Sequence, residues 1–189
     1  MKKYAKGQYG YRDYRKKKEI LKVCFGAVMI LIQLGARFLT DNEAWKNILT
    51  VMAILSVLPT ANVASPLVAS WRFKTPSKDF YEKVSPYEKQ FTVLYDLILT
   101  TKDSIIPVEA AAVHPTGVYA CCDLAKADVA KAEKAFNEIF AGHKLDPNVK
   151  LIPDKSAFYR RLDSLKPASQ YEDDGSVEYA GGLLKNLSM

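Results

Sequence analysis

Two stretches near the N-terminus contain no charged residue: Val23 to Ala36, between Lys22 and Arg37, and Asn47 to Trp71, between Lys46 and Arg72. A bilayer core takes about 20 apolar residues of helix to cross. The second stretch meets that length alone. The first meets it when Ile20, Leu21, Phe38 and Leu39 join it, with Lys22 and Arg37 snorkelling to the headgroups. The absence of Asp, Glu, Lys and Arg inside both stretches argues against a transport path, which intramembrane charge usually marks. Cysteine is scarce as well: Cys24 lies in the first stretch, and Cys121 and Cys122 are neighbours, a geometry that strains a bridge. With no disulfide framework, the region after the spans is expected to be cytoplasmic. His114 and His143 are the sole histidines and no paired C-x-x-C motif occurs, so no zinc site is expected. P-loop, dinucleotide, metal-hydrolase and Ser-His-Asp patterns are missing. Gly181-Gly182 lacks the strand-turn-helix context and the Lys-Ser/Thr of a phosphate loop.

What is present is a lopsided distribution of positive charge. Residues 1–22 carry Lys2, Lys3, Lys6, Arg12, Arg15, Lys16, Lys17, Lys18 and Lys22, and Arg72, Lys74, Lys78 and Lys83 follow the second stretch. Between the stretches stand Arg37 and Lys46, offset by Asp41 and Glu43. Lys/Arg-rich flanks stay on the cytoplasmic side. The expectation is a multi-pass protein of the cell membrane with both termini cytoplasmic and a short outside loop around Leu39 to Trp45. A cleaved signal peptide is the competing reading of the first stretch. Its n-region would be long, Gln33-Leu34-Gly35-Ala36-Arg37 is a poor cleavage context, and a second apolar stretch follows at once. The basic lead is rich in tyrosine (Tyr4, Tyr9, Tyr11, Tyr14), a pattern shared with nucleic-acid binders. Juxtamembrane Lys and Arg more commonly meet anionic lipid, each contributing about 1 kcal/mol near the surface. Arg15, Lys16, Lys17, Lys18, Lys22, Arg72 and Lys74 are therefore assigned to lipid. The net charge of +6 arises largely in this lead and is no sign of a nucleic-acid partner.

The organisation that follows is a basic cytoplasmic lead over 1–19, a two-helix membrane hairpin over 20–71 and a linker over 72–86 marked by Thr75-Pro76-Ser77 and Ser85-Pro86. A cytoplasmic α/β domain over 87–165 and a mobile tail over 166–189 complete the chain. The second span holds Pro59 and Pro66 among Ser56, Thr60, Asn62, Ser65 and Ser70. Each proline leaves a carbonyl that a nearby hydroxyl or a neighbouring helix must satisfy. Either this half forms a polar path, or the true span ends near Ser65 and the rest lies at the interface. Gly26, Ala27, Gly35, Ala53 and Ser56 suit close helix packing, within the hairpin or between copies of the chain.

In the domain, Tyr87, Phe91, Leu94, Tyr95 and Ile98 form a helical stripe, although Phe91 to Thr100 is also rich in β-formers and suits a strand. Ile105 to Ala112 and Val118 to Cys122 read as a β-hairpin around Val113-His114-Pro115-Thr116-Gly117, with Pro107 at its start or on an edge. Asp123 to Gly142 reads as a helix with Val129, Ala132, Ala135, Phe136, Ile139 and Phe140 on one face and Gly142 as its stop. Val149 to Pro153 reads as a strand and Ser156 to Leu165 as a helix capped by Ser156. The order helix-strand-strand-helix-strand-helix defines a small α/β domain of two or three layers. The segment after Pro167 contains the acidic run at Tyr171 to Gly175 and little to bury.

One constellation invites chemistry. The segment Glu109-Ala-Ala-Ala-Val-His-Pro-Thr-Gly117-Val-Tyr-Ala-Cys-Cys-Asp123 resembles the core hairpin of the restriction-endonuclease-like superfamily, closest to its nuclease-related NERD branch. That family has an acid opening one strand, a turn ending in Gly and a second strand ending in Glu-x-Lys. Its acids hold Mg²⁺ and its lysine stabilises charge or positions water. Glu109 falls at the first acid and Gly117 at the turn, while Cys122-Asp123-Leu124 replaces Glu-x-Lys. The resemblance implies a related fold with a degenerate site at Glu109, Cys122, Asp123 and Lys126. Asp123 and Lys126 offer a shifted site, but one carboxylate gives Mg²⁺ too few anchors. Neither catalytic residues, a metal nor a cofactor is expected. Separately, Trp45-Lys-Asn-Ile-Leu-Thr-Val-Met-Ala-Ile-Leu-Ser-Val-Leu-Pro59 is similar to a signature of bacterial two-span proteins of unknown function. As a reactive thiol, Cys122 has only a nearby helix start and Lys126 in its favour, and a small buried cysteine ending a core strand is the plainer reading. The function expected is a membrane-anchored interaction or scaffolding module without catalysis, touching lipid and a protein partner. A membrane-tethered nuclease or nucleic-acid-binding protein and a small transport or channel subunit are the alternatives.

Overall fold

The computed structural model describes residues 4–101, 104–122, 126–172 and 174–189. They form two compact units: residues 13–74, and residues 4–12 together with 75–189.

The first unit consists of helix α1 (Tyr11–Leu39, from Asp13) and helix α2 (Glu43–Ser70). Both are long and apolar enough to cross a membrane. Asn42 caps α2 by accepting from the Ala44 N–H. The two helices run antiparallel. Gln33 accepts a 3.2 Å hydrogen bond from Ser56, and a side chain at Gly26 would collide with Thr60. Ala53 and Leu67 are buried, while Phe25, Leu31, Phe38, Leu55 and Leu58 are exposed. The unit is thus polar and small within, apolar without, the reverse of a helix pair in water. Helix α2 passes through both prolines to Ser70 without ending near Ser65. The hydroxyls of Ser56, Thr60, Ser65 and Ser70 bond to the carbonyls of Met52, Ser56, Ala61 and Pro66. These are not the carbonyls of Leu55 and Asn62, which Pro59 and Pro66 leave without a helical donor.

The second unit is a three-layer α/β/α domain. Its elements are α3 (Lys78–Val84) with a 3₁₀ turn at Ser85–Lys89, β1 (Thr92–Thr100), β2 (Ile105–His114) and β3 (Gly117–Cys122). α4 (Lys126–Gly142), β4 (Val149–Ile152), α5 (Lys155–Ser164) and α6 (Ser176–Leu187) follow. The sheet has the order β1-β2-β3-β4, antiparallel twice and then parallel across the α4 crossover. One core joins α4 and α6 to the sheet through Phe136, Phe140, Leu183 and Leu184; the other joins α3 and α5 through Phe80, Val84, Phe158 and Leu162.

Several local readings change. Phe91 to Thr100 is a strand from Thr92, not the continuation of a helix from Tyr87: side chains on both of its faces are buried, which a single helical stripe would not provide. The linker contains α3, whose Phe80 and Val84 are core residues. The tail carries α6, packed through Ala180, Leu183 and Leu184, and Met189 donates to the Ile98 carbonyl. Asp154, not Ser156, caps α5, accepting from Ser156 and Ala157 N–H groups. Helix α4 ends at Gly142 as expected, but the left-handed residue is Lys144 at φ 59°, two positions on, with Leu145 N–H bonding back to Phe140 C=O.

The hairpin forms as expected, with Gly117 at φ 137° against the Asn148 carbonyl, where a side chain would collide. Pro107 lies in β2 before the described pairing with β3 begins at Val108, so its missing N–H breaks no bond to that strand. Both sheet edges are covered. Glu133 and Asn137 of α4 accept from β4 at Leu151 and Val149, while the Gly7 carbonyl, Ser188 and Met189 bond to β1.

Candidate functional site

Glu109 sits at a break in the sheet. The β2–β3 register passes from Val108↔Cys122 to Ala110↔Cys121, which leaves Glu109 as the extra residue of a bulge. On the other side the β1 register passes from Tyr95↔Ala110 to Leu97↔Val108, so Asp96 and Glu109 are both skipped. Asp96 adopts φ 57°, a left-handed conformation that asparagine and aspartate tolerate better than most residues. The bulge shifts the alternation of β2: Val108 faces the α4/α6 core and Ala110 the α3/α5 core.

Both carboxylates have partners within the domain, although Asp96 Oδ1 is buried and accepts no hydrogen bond among the described residues. Asp96 accepts a 2.7 Å hydrogen bond from the Gly10 N–H and a 3.3 Å bond from Thr75 Oγ1, with Arg12 Nε at 3.9 Å. Arg12 Nη2 donates to the carbonyls of Leu97 (3.0 Å) and Val108 (3.2 Å), bridging the strands where their ladder is interrupted. Burial raises the Asp96 carboxyl above its ordinary value, outweighing the pull of Arg12 and the Gly10 N–H in the opposite direction. Glu109 is held by Lys155 at the start of α5, whose Nζ lies 2.9 and 2.7 Å from its two oxygens. The same ammonium lies 5.0 Å from the centre of the Phe80 ring. Desolvation lowers the Lys155 pKa, but the Glu109 hydrogen bond and charge overcome it, leaving it raised.

Of the four residues assigned to a degenerate site, the fold brings no pair together among the described side chains. Cys122 belongs to the α4/α6 core, whereas Glu109 faces α5. Successive residues of a strand face opposite sides, so the cysteine on the face of Glu109 is Cys121. Burial, followed by the charge of Glu109, pushes the Cys121 thiol up to about 12, which leaves little nucleophilic thiolate at neutral pH. Asp123 and Leu124 lie outside the described residues, as does the Lys126 side chain; Lys126 opens α4. Among the described residues no three metal-ligating side chains converge. Arg12, Asp96 and Lys155 escaped the sequence reading. The lone acid within the apolar run of β1 was a signal for Asp96, and Asp-Lys-Ser before an apolar-periodic segment was one for Lys155.

The basic residues assigned to lipid lie in the first half of α1 and just past the end of α2. Arg15 pairs with Glu19, and Lys16 donates to the Trp71 carbonyl and lies 4.2 Å over its ring. Lys17, Lys18, Lys22, Arg72 and Lys74 are exposed. Elsewhere in the domain, a groove of about 610 Å³ is lined by Tyr171, Glu172, Glu178 and Lys185, apart from Glu109. His114 is spent on the hairpin: its Nδ1 lies 2.7 Å from Thr116 Oγ1, and its Nε2 2.9 Å from the Lys166 carbonyl oxygen. In comparisons with protein-family models, with curated proteins and with solved structures, nothing matches this chain.

Proposed function

We propose that the protein is a membrane-anchored interaction or scaffolding module, held in the bilayer by α1 and α2 with both termini on the cytoplasmic side. The observation that carries this reading is the inverted polarity of the helix pair, whose Gln33–Ser56 hydrogen bond is inside and whose large apolar residues face outward. Trp45 and Trp71 flank α2, about 39 Å apart at 1.5 Å per residue. That separation matches the ~40–45 Å from one headgroup region to the other, where tryptophan concentrates. The Lys/Arg excess beside Lys17 and Arg72 favours the cytoplasmic side for both outer ends.

A nuclease is the second reading, favoured by the sequence β2, β3, α4, β4, which follows the order of the restriction-endonuclease-like resemblance. The pairing of Glu109 with Lys155 and of Asp96 with the Gly10 N–H favours structural carboxylates over metal ligands.

The membrane reading is tested by impermeant thiol labelling in intact cells, with the native cysteines replaced. Asn42→Cys is expected to react and Ser77→Cys to be protected; reaction at position 77 alone refutes the orientation. The absence of catalysis is tested on the full chain by calorimetric titration with Mg²⁺ and Mn²⁺ and by plasmid cleavage. Micromolar metal binding, or cleavage abolished by Glu109→Ala, makes the nuclease reading the leading one. Silence in both assays favours the interaction module.

A further inference from the structure

Resting on the reading of α2 as a membrane span, we propose that the outer face of α2 is a docking seam for a second copy of this chain, keyed by Asn62. Helix α2 uses Ala53, Ser56, Thr60 and Leu67 toward α1. Asn62 is two positions past Thr60, about 200° further around the helix, and so faces away from α1. Its side chain is exposed, and its amide has no hydrogen-bond partner among the described residues. It lies four residues from the midpoint between Trp45 and Trp71, about 6 Å along the axis, well within a hydrocarbon half-thickness of about 15 Å. The other polar side chains at this depth are engaged: Gln33 with Ser56, and the hydroxyls of Thr60 and Ser65 with carbonyls one turn back. An amide facing hydrocarbon without a partner is costly.

The residues around Asn62 have the spacing of a helix-pairing seam. Ile48, Met52, Leu55, Pro59, Asn62, Pro66 and Ala69 recur at alternating steps of four and three. That heptad step keeps one stripe facing one neighbour, and a single Asn within such a stripe specifies register. Pro66 withholds an N–H from the carbonyl of Asn62 itself, so this residue presents both an unpaired amide and a backbone acceptor one helical donor short. Neighbouring helices satisfy such carbonyls in membranes.

The occupant is a second copy because of depth and chemistry. Copies inserted in the same orientation carry Asn62 at the same level of the bilayer. An amide is both donor and acceptor, so it complements itself across a two-fold axis along the membrane normal.

The test uses the full chain with Cys24, Cys121 and Cys122 replaced by Ala, reconstituted into phosphatidylcholine vesicles. Vesicle flotation comes first, since failure to float refutes the membrane reading and not the seam. Cysteines are then introduced at Leu55, on the seam, or at Val57, exposed but off it. Oxidation is expected to cross-link Leu55→Cys into dimers and to leave Val57→Cys monomeric. Adding Asn62→Leu to Leu55→Cys is expected to weaken self-association, read by energy transfer on lipid dilution, roughly 3- to 20-fold, the range of measured interhelical hydrogen bonds. Asn62→Gln is expected to retain most of it. Floating protein that cross-links no better at 55 than at 57 overturns the seam, and association indifferent to Asn62→Leu overturns the role of the amide. Purified chain that stays monomeric in vesicles overturns the choice of a second copy as occupant.

Discussion

Leu184→Ala separates a packed C-terminus from a mobile one. Leu184 is fully buried in the core formed by α4, α6 and the sheet. Replacing leucine by alanine removes three carbons, a transfer loss of about 2.4 kcal/mol at ~0.8 kcal/mol per methylene. The cavity left behind raises the expected cost to about 3–4 kcal/mol, inside the ~2–5 kcal/mol span of such substitutions. A domain of this size is stable by only about 5–15 kcal/mol. The tryptophans lie at the two ends of α2 and do not report on the domain, but Cys121 and Cys122 are buried in β3. With Cys24 replaced, pulsed thiol labelling in urea follows the domain's unfolding in the full chain held in mild detergent. For a slope of about 2 kcal/mol per molar urea, the midpoint is expected to fall by about 1.5–2 M. Asn186→Ala, on the exposed side of α6, is expected to shift stability by no more than about 0.5 kcal/mol. A midpoint for Leu184→Ala equal to that of Asn186→Ala would refute the packed α6 and restore a mobile tail.

Other perturbations test separate parts of the structure. Gly117→Ala is expected to destabilise the domain by at least about 1–3 kcal/mol in the same assay, from its positive φ and the collision with the Asn148 carbonyl. The Asp96 pKa is raised on folding, so the folded state holds the proton more tightly. Its contribution is fully present below the ordinary value of 3.8 and is lost as pH rises through the raised value. Relative to Asp96→Asn, the native chain is expected to gain stability on acidification through that window, measured by urea midpoints; an unchanged difference across pH refutes the burial of this carboxyl. Cys121, with its thiol pushed up to about 12, is expected to resist maleimide in the folded chain at neutral pH, and mass spectrometry showing rapid modification there refutes its inert assignment.

Much of the architecture was legible in the chain because its signals are local. Two uncharged apolar runs mark α1 and α2, the Pro115–Gly117 turn signals mark the β2–β3 hairpin, and the spacing of Ala132, Phe136 and Phe140 marks the buried face of α4. Each depends on residues a few positions apart and on their own periodicity. What only the tertiary structure decided depends on partners distant in sequence. Tyr95 and Ile98 fit a helical stripe by spacing, but pairing with Ala110 and Pro107 makes them strand residues. Leu183 and Leu184 read as tail residues until the sheet supplies the surface they cover. Glu109 kept its expected strand, yet as the bulged residue it turns to α5 and Lys155 while Cys122 faces the opposite core. A strand alternates faces with a period of two, so one inserted residue reassigns the neighbours of a side chain, and pairing register, a non-local property, determines where that insertion falls.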